Sequence, residues 1–369
     1  VPQQPQLTAQ LQIVVNGSVE DDGITTVGEG LVGPRPTVDD GQSAVPEPPA
    51  IAPMKSTAVR AAVGDQIDSP LEPSQLNRCS TPINNAENAA HASFFLPCNV
   101  LKNPLIDSIR AYRQFCTTEE QLPLFFYDWW LDAVCGEGNW AVAIARDRGG
   151  EITGVLPHYR TRRWGVPMIL LPPLTPYLGV WLRYPANVQK RERRYAFEQK
   201  TMGVLLQQIP HWPFVVHHHP PTVQTGLPFY WAGFPNRSFY PYSFPTVGDP
   251  TQIWRGMKSS LRNKIEKATR QLRLRESDEA AIFYQLNRQS FSRQGLTIPY
   301  SWAFFQNLDR VLAQRGRRTI LLAEAEGGQV HAGIYLVEDQ HTRYNLALGG
   351  DTDLRKSGAI QLLLWRGIR

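Results

Sequence analysis

The chain has 369 residues, 42% of them hydrophobic, with 38 Lys and Arg against 33 Asp and Glu. That length accommodates two domains of roughly 100 to 150 residues with chain to spare, and an isoelectric point near 9.0 permits anionic partners without requiring them. A membrane span is excluded, because no apolar run reaches the roughly 20 residues one needs and the best candidate, Val166 to Trp181, is broken by four prolines.

From Val1 to about Ala90 the residues are Pro, Gly, Gln, Asp, Ser and small apolar types with no sustained period of 2 or 3.6, so residues 1–90 read as a disordered leader. PEPPAIAP, Pro46 to Pro53, reads as linker within it, with a docking motif for a proline-reading domain as the alternative. No basic stretch followed by an apolar core opens the chain, so secretion is unsupported and a cytoplasmic location is expected. Residues 91–120 form a linker with one short amphipathic helix, Pro104 to Phe115, on the spacing of Leu105, Ile109 and Tyr112. The four cysteines, Cys79, Cys98, Cys116 and Cys135, never form the close pairs of zinc or dithiol sites and read as reduced thiols.

A first α/β lobe is expected over residues 121–250. FFYDWWLDAVCG predicts a buried helix ending near Gly136, WAVAIAR from Trp140 to Arg146 a strand, and Glu151 to Tyr159 its hairpin partner. Ala186 to Ile209 predicts a long helix with a charged start. PFVVHHHP and TGLPFYWAGFP predict short strands or extended segments. Alternation places His217 and His219 together with His218 opposite, which supplies two clustered ligands and no carboxylate, so no metal site is expected.

The second lobe is expected over residues 251–369. Ile253, Trp254, Met257, Leu261, Ile265, Ala268 and Leu272 form one apolar stripe of a single helix that also carries Lys258, Arg262, Lys264, Lys267, Arg270 and Arg273. A strand at Leu272 to Glu276 follows, then helices at Asp278 to Gln294 and Tyr300 to Arg315. Three strands come next, TILLAEAE, QVHAGIYLVED and TRYNLALGG, and a helix from about Leu354 closes the chain.

Strand, helix, helix, three antiparallel strands and helix is the order of the N-terminal core of the GNAT acyltransferase fold. There the helix after the fourth strand cradles a pyrophosphate, because unpaired N–H groups and the positive dipole end attract phosphate oxygens. The superfamily turn reads Gln or Arg, two residues, Gly, one residue, then Gly or Ala. Within GGDTDLRKSGA, Arg355 and Gly358 fit it, whereas Ile360 stands at the last small position and departs from the acetyl-CoA pattern. Gly349, Gly350, Arg355, Ser357, Gly358 and Ala359 are therefore the candidate donor-binding residues.

Five segments in order resemble the bacterial Fem-like, or methicillin-resistance-protein-like, GNAT acyltransferases: FFYDWWLDAVC, PFYWAGF, MKSSLRNKIEKA, YNLALGG and AIQLLLWRGI. The resemblance implies an α/β chain of tandem GNAT-like lobes, the second truncated at its C-terminus, with a further strand, a helix and a general-acid tyrosine normally following. It implies an N-acyltransferase with no permanently bound cofactor. Acyl-CoA or aminoacyl-tRNA would be the co-substrate, and the acceptor a small molecule or glycan precursor of the cell envelope or an exopolysaccharide. tRNA is a possible nucleic-acid partner, and DNA is not expected to be one.

Acyl transfer needs a route for the nucleophile's proton and donors for the oxyanion. Strand alternation puts Tyr344, Leu346 and Leu348 on one face and Arg343, Asn345 and Ala347 on the other. Tyr344 and Glu324 are the catalytic candidates, with core packing and a solvent-facing strand position as their plain alternatives. Arg262, Lys264, Tyr230, Trp231 and Asn345 are the substrate-binding candidates. Two other functions stay open: an inactive GNAT-fold binding module, and an RNA binder using the basic helix 253–273.

Overall fold

The computed structural model describes residues 104–188, 190–223, 225–234 and 249–368, together with the backbone of 10–13 and 242–245. Most of the expected leader, Cys79 and Cys98 thus lie outside the described residues.

The order begins with strand β1 (Gln10–Ile13), helix α1 (Pro104–Thr118), a 3-10 turn (Leu124–Phe126), α2 (Asp128–Cys135), β2 (Trp140–Arg146), β3 (Ile152–Arg163), β4 (Val166–Leu170) and β5 (Trp181–Leu182). It continues through α3 (Arg191–Leu206), β6 (Phe214–Val215), α4 (Leu227–Trp231), β7 (Tyr242–Pro245), α5 (Pro250–Gly256), α6 (Ser259–Gln271) and β8 (Leu272–Ser277). It ends with α7 (Ala280–Arg293), α8 (Trp302–Gln314), β9 (Arg318–Ala325), β10 (Val330–Glu338), β11 (Thr342–Gly350), a 3-10 turn (Arg355–Ser357) and α9 (Ala359–Ile368).

Two sheets result. The first runs β2-β3-β4-β6, with β5 also paired to β3; the second runs β7-β1-β11-β10-β9-β8. β8 to β11 form an antiparallel meander whose alternating residues go to opposite faces. Ile320, Leu322, Tyr335 and Val337 pack under α7 and α8, and this core is continuous with Tyr112, Phe125, Trp130 and Trp140 beside the first sheet. Leu321, Ala323, Ile334 and Leu336 face the other way and pack with Ile265 and Ala268 of α6 and Leu362 and Leu363 of α9. Burial of each such side chain is worth roughly 1.5–3 kcal/mol.

Several expectations are corrected. Within the leader, Gln10–Ile13 forms a strand, parallel to β11 and antiparallel to β7. The single basic helix is two: α5 ends at Gly256, Lys258 takes an extended ψ of 140°, and α6 restarts at Ser259. The aromatic run at Leu227–Trp231 is a short helix, because Gly226 caps it and Pro228 has the fixed φ that suits a first turn. The last helix starts at Ala359, five residues later than expected, because Gly358 takes a left-handed φ of 80°.

Alternation along β11 also fails at one point. Asn345 pairs with Leu336 and Ala347 with Tyr335, so Leu346 has no opposite number on β10 and the strand bulges there. Tyr344, Leu346 and Ala347 consequently pack toward the α7/α8 core, while Leu348 joins the α6/α9 core.

Candidate active site

The turn from Gly349 to Ala359 joins β11 to α9 and is fixed from three sides. Asp351 N–H donates to His331 O at 2.9 Å, and Asp351 Oδ1 accepts from the N–H groups of Asp353 at 2.9 Å and Leu354 at 3.3 Å. From α7, Ser290 Oγ accepts Gly350 N–H at 3.0 Å and Asn287 Nδ2 donates to Leu348 O. From α6, Lys264 lies against Gly358, where an added Cβ would stand 3.0 Å from Lys264 O and 3.1 Å from its Cγ. Asn287 and Ser290 were not singled out in the sequence, since their part depends on α7 crossing β11 and carries no local signal.

The structure therefore brings Lys264 to the same turn as Gly358, Arg355 and Lys356, and all three cations are exposed. Ala359 N–H is taken by Ser357 Oγ at 3.3 Å, while those of Ile360 and Gln361 find no acceptor among the described residues. A helix start with free N–H groups, flanked by cations, attracts phosphate oxygens. Ile360 reaches over Gly350, its Cδ1 3.4 Å from where a Gly350 Cβ would stand, so the departure from a small residue narrows this crevice.

The glycines divide by role. At Gly349 an added Cβ would stand 2.5 Å from Asn287 N and 2.8 Å from Leu286 C, so this glycine lets the α7 backbone lie on β11 and its open side faces the helix. Gly358 combines a positive φ with contact against α6.

Of the other candidates, Asn345 stands beside the bulge, 1% exposed, and its Oδ1 has no hydrogen-bond partner among the described residues. A buried acceptor left open is the kind of group a bound N–H satisfies. Tyr344 is equally buried. Its hydroxyl donates to Asp339 Oδ2 at 2.9 Å and shares a 2.8 Å hydrogen bond with Tyr177, and burial, then Tyr177 and Asp339, hold its pKa well above the ordinary tyrosine value. Asp339 also accepts the N–H groups of Leu124, His341 and Thr342, so Tyr344 belongs to a network that ties β11 to the helices of the first sheet.

Glu324 on β9 is held by Arg275 at 2.7 Å, and Arg275 also binds Glu279 at 2.9 Å. Register places Tyr344 opposite Val337 and hence Arg318, six residues along β9 from Glu324, or about 20 Å at 3.3 Å per residue. The two catalytic candidates do not share one site. Arg262 donates to the carbonyls of Met257 at 2.6 Å and Arg255 at 3.2 Å and closes the end of α5. Tyr230 and Trp231 are exposed on α4, which packs on α3, and α3 in turn packs on β2 and β3 of the first sheet.

His217 and His219 pack on Phe229, with ring centroids 6.2 and 4.5 Å away, and no three potential metal ligands gather among the described residues. Burial lowers the pKa of His158 to about 4, of His217 to about 3 and of His219 to about 4. Cys116 and Cys135 are buried and unpaired, and burial raises the Cys116 thiol to about 12.

Residues 255–369 match the family model described as Acetyltransferase (GNAT) domain. The chain carries a GNAT domain. Its β8-to-α9 order is the order expected of that fold, and acyl transfer is the chemistry of such a domain. A solved structure titled "Crystal structure of FemX" is similar over 70% of this chain and 83% of its own, at 12% identity and a TM-score of 0.49. Among curated proteins none is similar in sequence. Among the described residues no helix is long and apolar enough to cross a membrane.

Proposed function

We propose that the chain is a cytoplasmic bacterial acyltransferase that moves an acetyl or aminoacyl group from acyl-CoA or aminoacyl-tRNA to an amine or hydroxyl of a cell-envelope or exopolysaccharide precursor. The observation that carries this reading is the run from the bulged β11 through the Gly349–Ala359 turn into α9, with Lys264, Arg355 and Lys356 around the helix start. Donor phosphates sit at the Ile360 and Gln361 N–H groups. The donor's extended arm lies back along β11 toward the bulge, where Leu346 is released from β10.

Asn345 Oδ1 takes an N–H of the donor arm or of the incoming amine, and a backbone N–H at the bulge polarises the acyl carbonyl. Nucleophilic attack forms the new C–N or C–O bond, the bond to the carrier breaks, and the acceptor's proton leaves with the carrier or to water. Tyr344 holds the bulge in place through Asp339 and Tyr177. Glu324, at the turn end of the sheet, is held by Arg275 through Oε2 and serves as base through Oε1.

Transfer is tested by incubating the protein with radiolabelled acetyl-CoA or aminoacyl-tRNA and a panel of nucleotide-linked amino-sugar acceptors. Label in an acceptor amide or ester supports the reading. Label that reaches no acceptor from either donor, with protein that binds neither, overturns it.

A further inference from the structure

A cavity of about 390 Å³ opens between α6 and α9, on the side of β8. Its volume falls within the roughly 300–1,000 Å³ of small-molecule sites. Two indoles, Trp254 and Trp365, meet at its wall with centroids 5.1 Å apart; Glu266, Arg270 and Arg366 bring charge to the lining, and Ile265, Leu274 and Leu362 are among its apolar residues. Trp365 and Arg366 lie six or seven residues beyond Ala359, so the cavity is about 10 Å along α9 from the donor turn at 1.5 Å per residue.

The lining combines three chemistries. Flat indole faces take a planar ring by stacking. A carboxylate accepts from an N–H edge such as that of a guanine, or from the amino group of an adenine. Exposed guanidinium groups bind phosphate in bidentate fashion. Arg270 and Arg366 are both exposed and held in no ion pair among the described residues. Each lies in the last turn of its helix, where a cation offsets the dipole. A charge-assisted bond to phosphate is the stronger interaction, and it is still open to a ligand. A fatty chain fits less well, because Glu266 would lose its water against it.

We infer that this cavity is a purine-nucleotide site, with the base against Trp254 and Trp365, its N–H edge toward Glu266, and the phosphate on Arg270 and Arg366. The same chemistry is presented by a free nucleotide and by the single-stranded end of an RNA. The site is independent of the donor turn: loss of one leaves the other intact.

The test is ligand-observed saturation-transfer NMR and calorimetric titration with GMP, AMP, inorganic phosphate, and a short single-stranded RNA ending in a purine. The variants are Arg270→Ala with Arg366→Ala, and Glu266→Gln, all at exposed positions. The expected result is saturation of purine base protons and at least a tenfold loss of nucleotide affinity in the double Arg variant, the consequence of removing two charge-assisted contacts. GMP should weaken more than AMP in Glu266→Gln. RNA binding tighter than GMP, with the same sensitivity to the variants, assigns the site to an RNA end; equal affinities assign it to a free nucleotide. Absence of base-proton saturation with every purine probe, or wild-type affinity in both variants, overturns the inference. Arg355→Ala serves as the parallel control, since it should leave GMP binding unchanged even if the donor turn binds nothing.

Discussion

Replacing Gly349 by Ala should destabilise the protein far more than the same change at Gly350, its neighbour. A Cβ at 349 would meet Asn287 N at 2.5 Å, Leu286 C at 2.8 Å and Leu286 Cβ at 2.9 Å, all but the last of them helix backbone that cannot rotate away. The strand or α7 must move. Overpacking of this kind costs about 1–3 kcal/mol, and the Asn287–Leu348 and Ser290–Gly350 hydrogen bonds that seat β11 under α7 add about 1 kcal/mol each if they are lost. The expected total is about 2–4 kcal/mol. At Gly350 a Cβ meets only Ile360 Cδ1 at 3.4 Å, the far end of a side chain that can yield. Neither glycine has a positive φ, so Ala also restricts the unfolded chain by about 0.4–1 kcal/mol in favour of folding. Gly350→Ala should therefore lie within about 1 kcal/mol of wild type. Urea unfolding followed by tryptophan fluorescence measures both. Equal midpoints for the two variants would refute the packing of α7 on Gly349.

Further outcomes follow from the same geometry. Tyr344→Phe removes the hydroxyl that joins Asp339 to Tyr177, and should cost about 1–3 kcal/mol in urea unfolding; a fall in kcat with unchanged stability would instead make Tyr344 a catalytic residue. His158, His217 and His219 have folded-state pKa values of about 4, 3 and 4, below the ordinary 6.5, so they stay neutral when folded and protonate on unfolding. Stability should be full above pH 7 and fall as pH drops from about 6.5 toward 4, by about 1–2 kcal/mol per histidine at pH 5. His217→Phe should flatten that slope in pH-dependent melts, and an unchanged slope would count against neutral burial. Gly358→Ala should cost about 1–2 kcal/mol through its left-handed φ and its contact with Lys264, measured by thermal melting; a neutral change would show that the turn does not rest on α6.

The meander and the turn after it were legible because each strand is a short apolar run bounded by Gly-Gly, Asp-Gln-His or a charged segment. What escaped the sequence has identifiable causes. The apolar stripe from Ile253 to Leu272 continues in phase across Met257 and Lys258, so periodicity cannot show that the helix breaks there or that Arg262 turns back to close α5. The bulge at Leu346 sits in YNLALGG, where apolar residues occupy both faces and a slipped phase leaves no trace in polarity. The run at Leu227–Trp231 has the aromatic composition of a strand, and local backbone preference at Gly226 and Pro228 prevails. Gly349 stands among the donor-binding candidates, and only the presence of α7 above it reveals that the position is also one of close packing. For Tyr344 the alternative of core packing describes its surroundings, since its hydroxyl is engaged by Asp339 and Tyr177.

The central claim is that the Gly349–Ala359 turn binds the phosphates of an acyl carrier, and it is tested most directly by titrating wild type and an Arg355→Ala, Lys356→Ala double variant with coenzyme A and, separately, with an aminoacyl-tRNA. Both side chains are exposed, so the variant should fold as wild type does. The account predicts that at least one carrier binds the wild type and that the double variant loses about tenfold or more in affinity for it, the equivalent of one or two charge-assisted hydrogen bonds. Equal binding by the two proteins, or no binding of either carrier, would contradict it.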